Sequence, residues 1–325
     1  MNSISIFSAI VYIFLMHSFV FGPVPSRRLG FSLGVDVLPR KYCNFDCIYC
    51  QIGKTTNRNA RRTRFFELDE VVREIVDAAR CAELIDYVTF SGSGEPTLNQ
   101  NLGDIIKAVK RFIEVPVAVI TNSSLLSNVE VRNDLMNADV VLPSLDAGTD
   151  EAFNRINRPQ AGISLIEIVN GLRTFRDHYK GLIWLEIMII KGVNDSVTEL
   201  QRLKGIVGVL NVDKIHLNTV TRPPSEEHAN PIGQQELDQI MTFFGNTCEV
   251  ISSFEKDGVH GEQEGWAEMI YEMLKRRSLT IKDIIRVTGA PASQIEKELR
   301  NMEEQGSVKT YRLGNEMYFA ADNQS

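Results

Sequence analysis

Apolar positions follow two rhythms along the middle of the chain. Short runs rich in branched and aromatic residues are each followed by a longer stretch with the apolar spacing of a helix. The strand-like runs lie at 32–38, 85–92, 115–121, 139–146, 183–190, 214–220 and 248–254, and the helical stretches lie near 67–80, 101–112, 163–178, 196–208 and 234–244. Apolar strands that alternate with helices predict a parallel sheet covered by helices, either a full or partial barrel or an open doubly wound sheet.

The pattern changes after residue 255. A Gly-rich polar stretch at 256–263 predicts a linker. Helices are then predicted near 264–276, 280–289 and 291–306, before two short strands that meet at Gly314-Asn315. The sequence therefore predicts a main α/β domain over 21–255 and a winged-helix-like domain over 264–325.

The third helix of the small domain is acidic. Its charged residues are Glu296, Lys297, Glu298, Arg300, Glu303 and Glu304, a net charge of −2. The phosphates that line a DNA groove would repel such a helix. We therefore favour a docking role for a protein partner, or presentation of substrate, over sequence-specific DNA binding.

The N-terminal segment 1–20 is open to three interpretations. Residues 4–22 are almost uncharged and nearly long enough to span a bilayer, and Arg27 and Arg28 would then keep the next domain cytoplasmic. Phe19-Val20-Phe21 also suits a first strand, and the residues before Met16 also suit an upstream extension from a mis-assigned start. We expect a cytoplasmic protein, with a membrane anchor as the less favoured reading.

Composition excludes several classes of protein. The 325 residues are 43% hydrophobic and 24% charged, as in ordinary globular proteins, and five cysteines are too few for a disulfide-stabilised secreted scaffold. The net charge of −7 argues against a protein that coats nucleic acid. Residues 21–64, however, contain nine basic and two acidic residues. This basic segment either faces an anionic substrate or is a solvated loop.

Three of the five cysteines fall within eight residues, as Cys43, Cys47 and Cys50. Thiolates spaced C-x3-C-x2-C can bind three irons of a [4Fe–4S] cluster and leave the fourth iron open to another ligand. The alternative is a structural zinc site, which normally needs a fourth protein ligand. Cys81 and Cys248 lie in a predicted helix and strand, where a plain buried thiol is the usual role.

These motifs resemble the radical S-adenosylmethionine (radical SAM) superfamily. Tyr49 precedes the third cysteine, and the cysteine loop follows the first strand of a βα-repeat domain. The stretch "SGSGEPTL" (91–98) is similar to that family's Gly-Gly-Glu-Pro motif, with Gly94, Glu95 and Pro96 matching and Ser93 replacing the first glycine. The resemblance covers about residues 20–255. It implies a partial (β/α)6 TIM-like barrel that uses a [4Fe–4S] cluster and SAM.

The resemblance also assigns roles to residues at the strand ends. Glu95 would accept the SAM amino group, with Asn122 nearby, Ser144 and Asp146 at the ribose, and Asn194 at the adenine. Asn, Ser and Asp also cap helices and form turns, so each has a structural alternative.

The activity that the resemblance implies is reductive cleavage of SAM to a 5′-deoxyadenosyl radical, which abstracts hydrogen from a substrate. A flavodoxin or ferredoxin would supply the electron. Residues 21–56 are similar to a prokaryotic group of Fe–S oxidoreductases related to the tRNA wyosine-base synthetases. Two departures put the wyosine reaction in doubt: no cysteine precedes Cys43, and no lysine can be assigned to a Schiff base.

RNA, with tRNA as an example, is the leading substrate prediction, followed by a peptide or a small metabolite. Residues 53–66 combine Lys and Arg with Phe65 and Phe66, which suits a phosphate backbone with stacked bases. Alternatively, Arg27 or Arg28 binds the SAM carboxylate. The rival function is an Fe–S sensor whose winged helix binds DNA or a protein, although a sensor needs none of the SAM motifs.

Overall fold

The computed structural model describes residues 19–55, 57–58, 61–82, 84–251, 266–276, 278–314 and 316–322. Residues 1–18, the predicted linker at 256–263 and Asn315 of the predicted turn lie outside these ranges. Among the described residues, no helix is both long enough and apolar enough to cross a membrane.

A twisted sheet forms the centre of the molecule. Its strands are β1 (Val20–Ser26), β2 (Gly30–Val35), β5 (Tyr87–Phe90), β6 (Val117–Thr121), β7 (Val140–Pro143), β8 (Leu182–Ile189), β9 (Lys214–Thr219) and β10 (Cys248–Val250), while β3 (Tyr42–Cys43) and β4 (Asn57–Arg58) form a separate pair. The order is β1-β2-β5-β6-β7-β8-β9-β10. Strand β1 is antiparallel to β2, and every other neighbouring pair is parallel.

Helices connect successive parallel strands. They are α1 (Leu68–Cys81), α2 (Leu102–Val109), α3 (Val129–Leu135), α4 (Asp150–Ile156), α5 (Leu165–His178), α6 (Val197–Val207) and α7 (Gln234–Phe244). Side-chain caps fix several starts, including a capping box between Ser164 and Glu167 at α5. Six helical connections thus join seven parallel strands, which is the α/β architecture expected of a TIM-like barrel. Strands β1 and β10 end the order, so the described strands form an open barrel.

The barrel interior changes from apolar to polar along the strands. Ala118 of β6 and Leu142 of β7 are buried in one apolar cluster beneath the strand ends. Because side chains alternate along a strand, Asn122 and Ser144 follow on the same inner face, beyond the carboxyl ends. The apolar layer therefore closes the floor of the barrel, and polar side chains are left at the rim where active sites of such folds lie.

The C-terminal module, residues 266–322, packs against the antiparallel edge of the sheet. It contains α8 (Trp266–Arg276), α9 (Ile281–Thr288), α10 (Ala292–Glu304) and the hairpin β11 (Val308–Leu313) and β12 (Glu316–Ala321). Phe21 and Val24 of β1 share an apolar cluster with Ile284, Leu299 and Phe319 of the module. Strand β1 of the predicted main domain therefore contributes to the core of the C-terminal module, which is separate from the large core of the barrel.

Candidate active site

The three clustered cysteines lie in one loop at the rim of the barrel. Cys43 ends β3, and the Cys50 amide donates to the carbonyl of Cys47. Asp46 fastens the loop because its carboxylate accepts from the Thr55 amide at 2.7 Å and from the Arg58 guanidinium at 2.8 Å. One buried carboxylate therefore sets the shape of the segment that presents the thiols.

Each thiol has a protein N–H group directed at its sulfur. Asn122 Nδ2 lies 3.7 Å from Cys43 Sγ, Asn157 Nδ2 lies 3.5 Å from Cys47 Sγ, and Lys41 Nζ lies 3.0 Å from Cys50 Sγ. Donors of this kind stabilise ligating thiolates and tune the metal that they bind. Each of the three sulfurs therefore has a donor that would stabilise its thiolate form.

Burial opposes ionisation of the free thiols. It raises the pKa of Cys43 to about 12 and also raises the pKa of Cys47, to which the negative charge of neighbouring Cys43 contributes. Bound metal deprotonates a ligating thiol outright and reverses this cost. No three His, Cys, Asp or Glu side chains in the described ranges converge on a single ion. A cluster places each thiolate on a different iron, so the three thiols fit a [4Fe–4S] cluster better than a lone zinc ion.

The loop at 92–95 comes very close to the cysteine segment. A Cβ atom on Gly94 would lie 1.9 Å from the Tyr42 carbonyl oxygen, so only glycine fits there. Ser93, which replaces a family glycine, donates from its amide and hydroxyl to Asp36 at 3.0 and 2.6 Å. The departure at Ser93 thus anchors the loop to the end of β2.

Glu95 is buried and surrounded by donors. Its Oε1 accepts from the amide and hydroxyl of Thr97 and the hydroxyl of Thr121, whereas Oε2 accepts from the Asn122 amide at 2.6 Å. Burial raises the pKa of Glu95, and these hydrogen bonds act in the opposite direction. Pro96 begins a short 3₁₀ turn that supplies the Thr97 donors. Oε2 has a lone pair left for a ligand ammonium.

Asp146 is held from three sides. It accepts from Tyr49 Oη at 2.7 Å, Asn157 Nδ2 at 2.8 Å and the Met188 amide at 3.0 Å. Asn194 lies behind it, fully buried, and donates to the carbonyls of Asp146 and Met188 at 2.7 and 2.8 Å. Asn194 therefore shapes the backbone behind the site and does not reach the cavity.

A cavity of about 270 Å³ joins most of the predicted residues. This site cavity is lined by Cys43, Tyr49, Cys50, Gly94, Glu95, Asn122, Ser144 and Asp146, but Cys47, Pro96 and Asn194 do not line it. Two cysteines and the SAM-motif residues thus face one space at the carboxyl ends of the strands.

The sequence analysis missed three other lining residues, Glu186, Asn218 and Arg222. Arg28 forms an ion pair with Glu186 of β8, whose Oε1 also accepts from Asn218 of β9 at 3.3 Å. Arg222 follows β9 and donates to Gln51 at 2.9 Å. Glu186 is the only charged residue of β8, and Asn218 follows Lys214 and His216 at alternate positions of β9, and that pattern was the available signal. These side chains line the same cavity as Cys43 and Cys50.

Part of the basic segment after the cysteines forms contacts within the protein. Arg62 is 10% exposed, pairs with Glu130 and Asp134, and also donates to the Thr97 carbonyl. The rings of Phe65 and Phe66 pack on Tyr42 and Phe19, with centroids 4.7 Å apart in each pair. Arg62 and both aromatic rings of this segment thus have intramolecular partners, whereas Arg61 and Arg64 are exposed. A nucleic-acid surface at residues 53–66 stays a prediction.

His216, inside the barrel on β9, gives a pH prediction. It is 1% exposed, and burial lowers its pKa to about 4 from 6.5. As pH falls from about 6.5 to about 4, the unfolded chain takes up this proton first, so stability decreases by about 2–3 kcal/mol. We expect urea unfolding across this pH range to show this decrease in the free energy of unfolding of the wild type. A His216→Gln variant should lack the part of the decrease that His216 causes. An equal loss in both proteins would contradict the assignment.

Lys41 gives a prediction about electron transfer. Its φ of +59° is unusual for a residue other than glycine, and its buried side chain is directed to Cys50 Sγ. A nearby cation stabilises the more negative, reduced state of a cluster. We expect Lys41→Met to lower the reduction potential by roughly 30–60 mV, where about 59 mV is tenfold for one electron. An anaerobic redox titration measures it, and Lys41→Arg should retain most of the wild-type value.

Comparison with known proteins agrees with this geometry. A family model described as the Radical SAM superfamily matches residues 37–203. The chain belongs to the radical SAM superfamily. Radical SAM enzymes use a [4Fe–4S] cluster and SAM, so this chain is an enzyme with those cofactors. The comparisons give no support to the rival sensor.

Curated relatives place the chain in more detail. It is 35% identical over 288 residues to a UPF0026 protein of Methanocaldococcus jannaschii, an alignment of 82% of this chain and 88% of that protein. It is 38% identical to a protein named GTPase Obg of Brachyspira hyodysenteriae, over 89% of this chain but only 43% of that protein. A dual-specificity RNA methyltransferase RlmN of Oleidesulfovibrio alaskensis is 25% identical, over 62% of this chain and 57% of its own length.

Among solved structures, SuiB of Streptococcus suis bound to S-adenosylmethionine has a TM-score of 0.51 at 13% identity, covering 69% of this chain and 50% of that one. This likeness concerns the fold alone. The narrower likeness to the tRNA wyosine-base synthetases stays a prediction.

Proposed function

We propose that this enzyme cleaves SAM reductively in the site cavity and acts on RNA. One observation carries the proposal: donor-backed thiols and the SAM-motif residues Glu95 and Asp146 face the same cavity. When bound, the reduced cluster and SAM supply a 5′-deoxyadenosyl radical that removes a hydrogen atom from a substrate.

The chain's own residues would bind and orient the cofactors. Cys43, Cys47 and Cys50 would ligate three irons. Glu95 would accept the SAM ammonium through Oε2, and the Ser144 hydroxyl is available for the ribose. Asp146, fixed by Tyr49 and Asn157, would hold the ribose side of the cavity. Asn194 would act indirectly, because its side-chain amide donates to the backbone carbonyls of Asp146 and Met188.

RNA is the preferred substrate class on two grounds. The relative named RlmN is, by its printed name, an RNA methyltransferase. Arg27 and Arg222 line the site cavity, where they suit a phosphate group. The test is an anaerobic assay of 5′-deoxyadenosine with and without bulk tRNA, beside tRNA digested to nucleosides. Intact RNA should increase the formation of 5′-deoxyadenosine, and the RNA itself should change in mass. Digested RNA should neither increase 5′-deoxyadenosine nor change in mass. Equal formation in both samples would remove RNA as the substrate.

The remaining partners follow from the C-terminal module and the cluster. The three helices and hairpin, together with the bridge between Leu279 and Phe319, support a winged-helix-like module. Glu296, Glu303 and Glu304 are exposed on α10, which favours a basic protein partner over DNA. A flavodoxin or ferredoxin would donate the electron, and the cytoplasm is the expected location.

A further inference from the structure

A second cavity lies between the barrel and the C-terminal module. This arginine cavity, of about 260 Å³, is lined by Arg27 and Arg222 from the barrel and by Asp283, Arg286 and Tyr318 from the module. Tyr318 Oη donates to the Thr221 carbonyl at 2.7 Å and ties the hairpin to the loop after β9. The module is therefore positioned to contribute side chains to a space beside the active site.

The two cavities share a wall. Arg27, Asn218, Thr219, Thr221 and Arg222 line both of them. A ligand group in the arginine cavity would therefore be adjacent to the space where the cysteines and Glu95 face the cofactors. A substrate that occupies both spaces would be held at one end while its other part reaches the reacting centre.

Two arginines, Arg27 and Arg222, are among the residues that line both cavities, and no acidic residue of the described ranges lines both. Arg28 is balanced by Glu186, but the hydrogen bond of Arg27 goes to the neutral amide oxygen of Asn218 at 3.3 Å. Burial, followed by repulsion from Arg222 and Arg28, lowers the pKa of Arg27 to about 10. An anion placed here would relieve that repulsion and favour the charged guanidinium.

The module side of the cavity has one cation and one anion with different roles. Asp283 completes the capping box of α9, where its carboxylate accepts from the amide and hydroxyl of Thr280 at 3.1 and 3.0 Å. Arg286 is half-buried and makes no ion pair with any residue that the structure describes. The Asp283 carboxylate is thus hydrogen-bonded to Thr280 at the helix N-terminus, while the guanidinium of Arg286 remains available to a ligand.

We infer that the arginine cavity binds a phosphate group of the substrate, with Arg27 and Arg286 as ligands contributed from opposite sides. The inference rests on the proposed function, since it concerns the substrate of the same active site. Guanidinium groups bind phosphate oxygens through paired N–H donors, which gives both charge and direction. The phosphate belongs either to an RNA strand or to a small phosphate ester, and the C-terminal module completes the substrate site.

The test measures binding without turnover, on the full chain with its cluster and SAM. A short fluorescein-labelled single-stranded RNA is the probe for anisotropy, and inorganic phosphate and ribose 5-phosphate are the competitors. Arg286→Ala should weaken RNA binding by about tenfold or more and reduce the salt slope by about 0.7, as expected for one lost contact to a single strand. Arg300→Ala, which removes an exposed arginine of α10 in the same module, is the matched control and should change affinity less than about twofold.

Arg286→Lys keeps the charge and should retain part of the affinity, which guards against a folding defect in the alanine variant. SAM affinity, measured on the same samples, should stay at the wild-type value because Arg286 lines only the arginine cavity. If the labelled RNA binds tightly and ribose 5-phosphate does not displace it, the bound phosphate group belongs to an RNA strand. If ribose 5-phosphate binds and displaces the labelled RNA, the bound phosphate group belongs to a small phosphate ester.

Three results would overturn the inference: equal effects of the Arg286 and Arg300 variants, a parallel loss of SAM affinity in Arg286→Ala, or a wild type that binds none of the three phosphate probes. Failure of the proposed chemistry is scored separately, as absence of 5′-deoxyadenosine from the wild type, and does not alter the binding results.

Discussion

Replacing Cys47 by alanine is expected to abolish cluster binding and SAM cleavage, whereas the same replacement at Cys81 leaves both intact. Cys47 is the central member of the cysteine loop, and the thiol accepts from Asn157, which also holds Asp146. Its loss removes one of three protein ligands and one of the two acceptors of Asn157 Nδ2. Loss of an outer partner alone costs about 10–100-fold in metal affinity, so loss of the ligand should exceed about 100-fold.

The measurement is iron and sulfide per chain after anaerobic reconstitution, together with 5′-deoxyadenosine formed with dithionite and SAM. Cys81 ends α1 as a free, half-buried thiol, so Cys81→Ala controls for removal of a cysteine as such. Equal iron content in the two variants would show that the predicted loop does not ligate the cluster.

Gly94→Ala is expected to reduce SAM cleavage by about 100-fold, because displacement of a positioning element by about 1 Å has effects of that size. The new methyl group would lie 1.9 Å from the Tyr42 carbonyl oxygen, and that carbonyl accepts from the Glu95 amide at 3.1 Å. Backbone must therefore move, and with it either the cysteine segment or Glu95. SAM affinity should fall together with turnover, since the cysteine segment and Glu95 both hold the SAM site together.

Gly205→Ala is the matched control for that substitution. Gly205 lies within α6, and a Cβ atom added there meets no atom within 4 Å. Alanine at this helix position should raise the free energy of unfolding by about 0.5–1 kcal/mol. Turnover should be unchanged. If Gly94→Ala binds SAM and turns over like Gly205→Ala, the close approach of the two loops has no part in catalysis.

The sequence predicts the barrel well because its signals are local. Each parallel strand lies in a short run rich in apolar residues, and its predicted position agrees with the described strand to within a few residues. Helices α3 and α4 were missed since seven residues make fewer than two turns, too few for a helical period to appear. Contact between β1 and the C-terminal module could not be predicted, because it joins residues at opposite ends of the chain.

The same distinction separates the predicted and missed parts of the site. The cysteine loop and the Glu95 loop are short motifs, so their chemistry is visible in a few consecutive residues. Glu186, Asn218 and Arg28 meet only when β8, β9 and the turn after β1 lie side by side. The intramolecular contacts of Arg62 could not be predicted either, because its partners are at least 35 positions away in sequence.

The central claim is that this cavity supports reductive cleavage of SAM. Its most direct test is to incubate the anaerobically reconstituted wild type with dithionite and SAM, and to quantify 5′-deoxyadenosine and methionine. We predict equal amounts of the two products, above the level given by Cys47→Ala. A wild-type protein that carries a full cluster and binds SAM, yet forms no more nucleoside than Cys47→Ala with or without RNA, would contradict the claim.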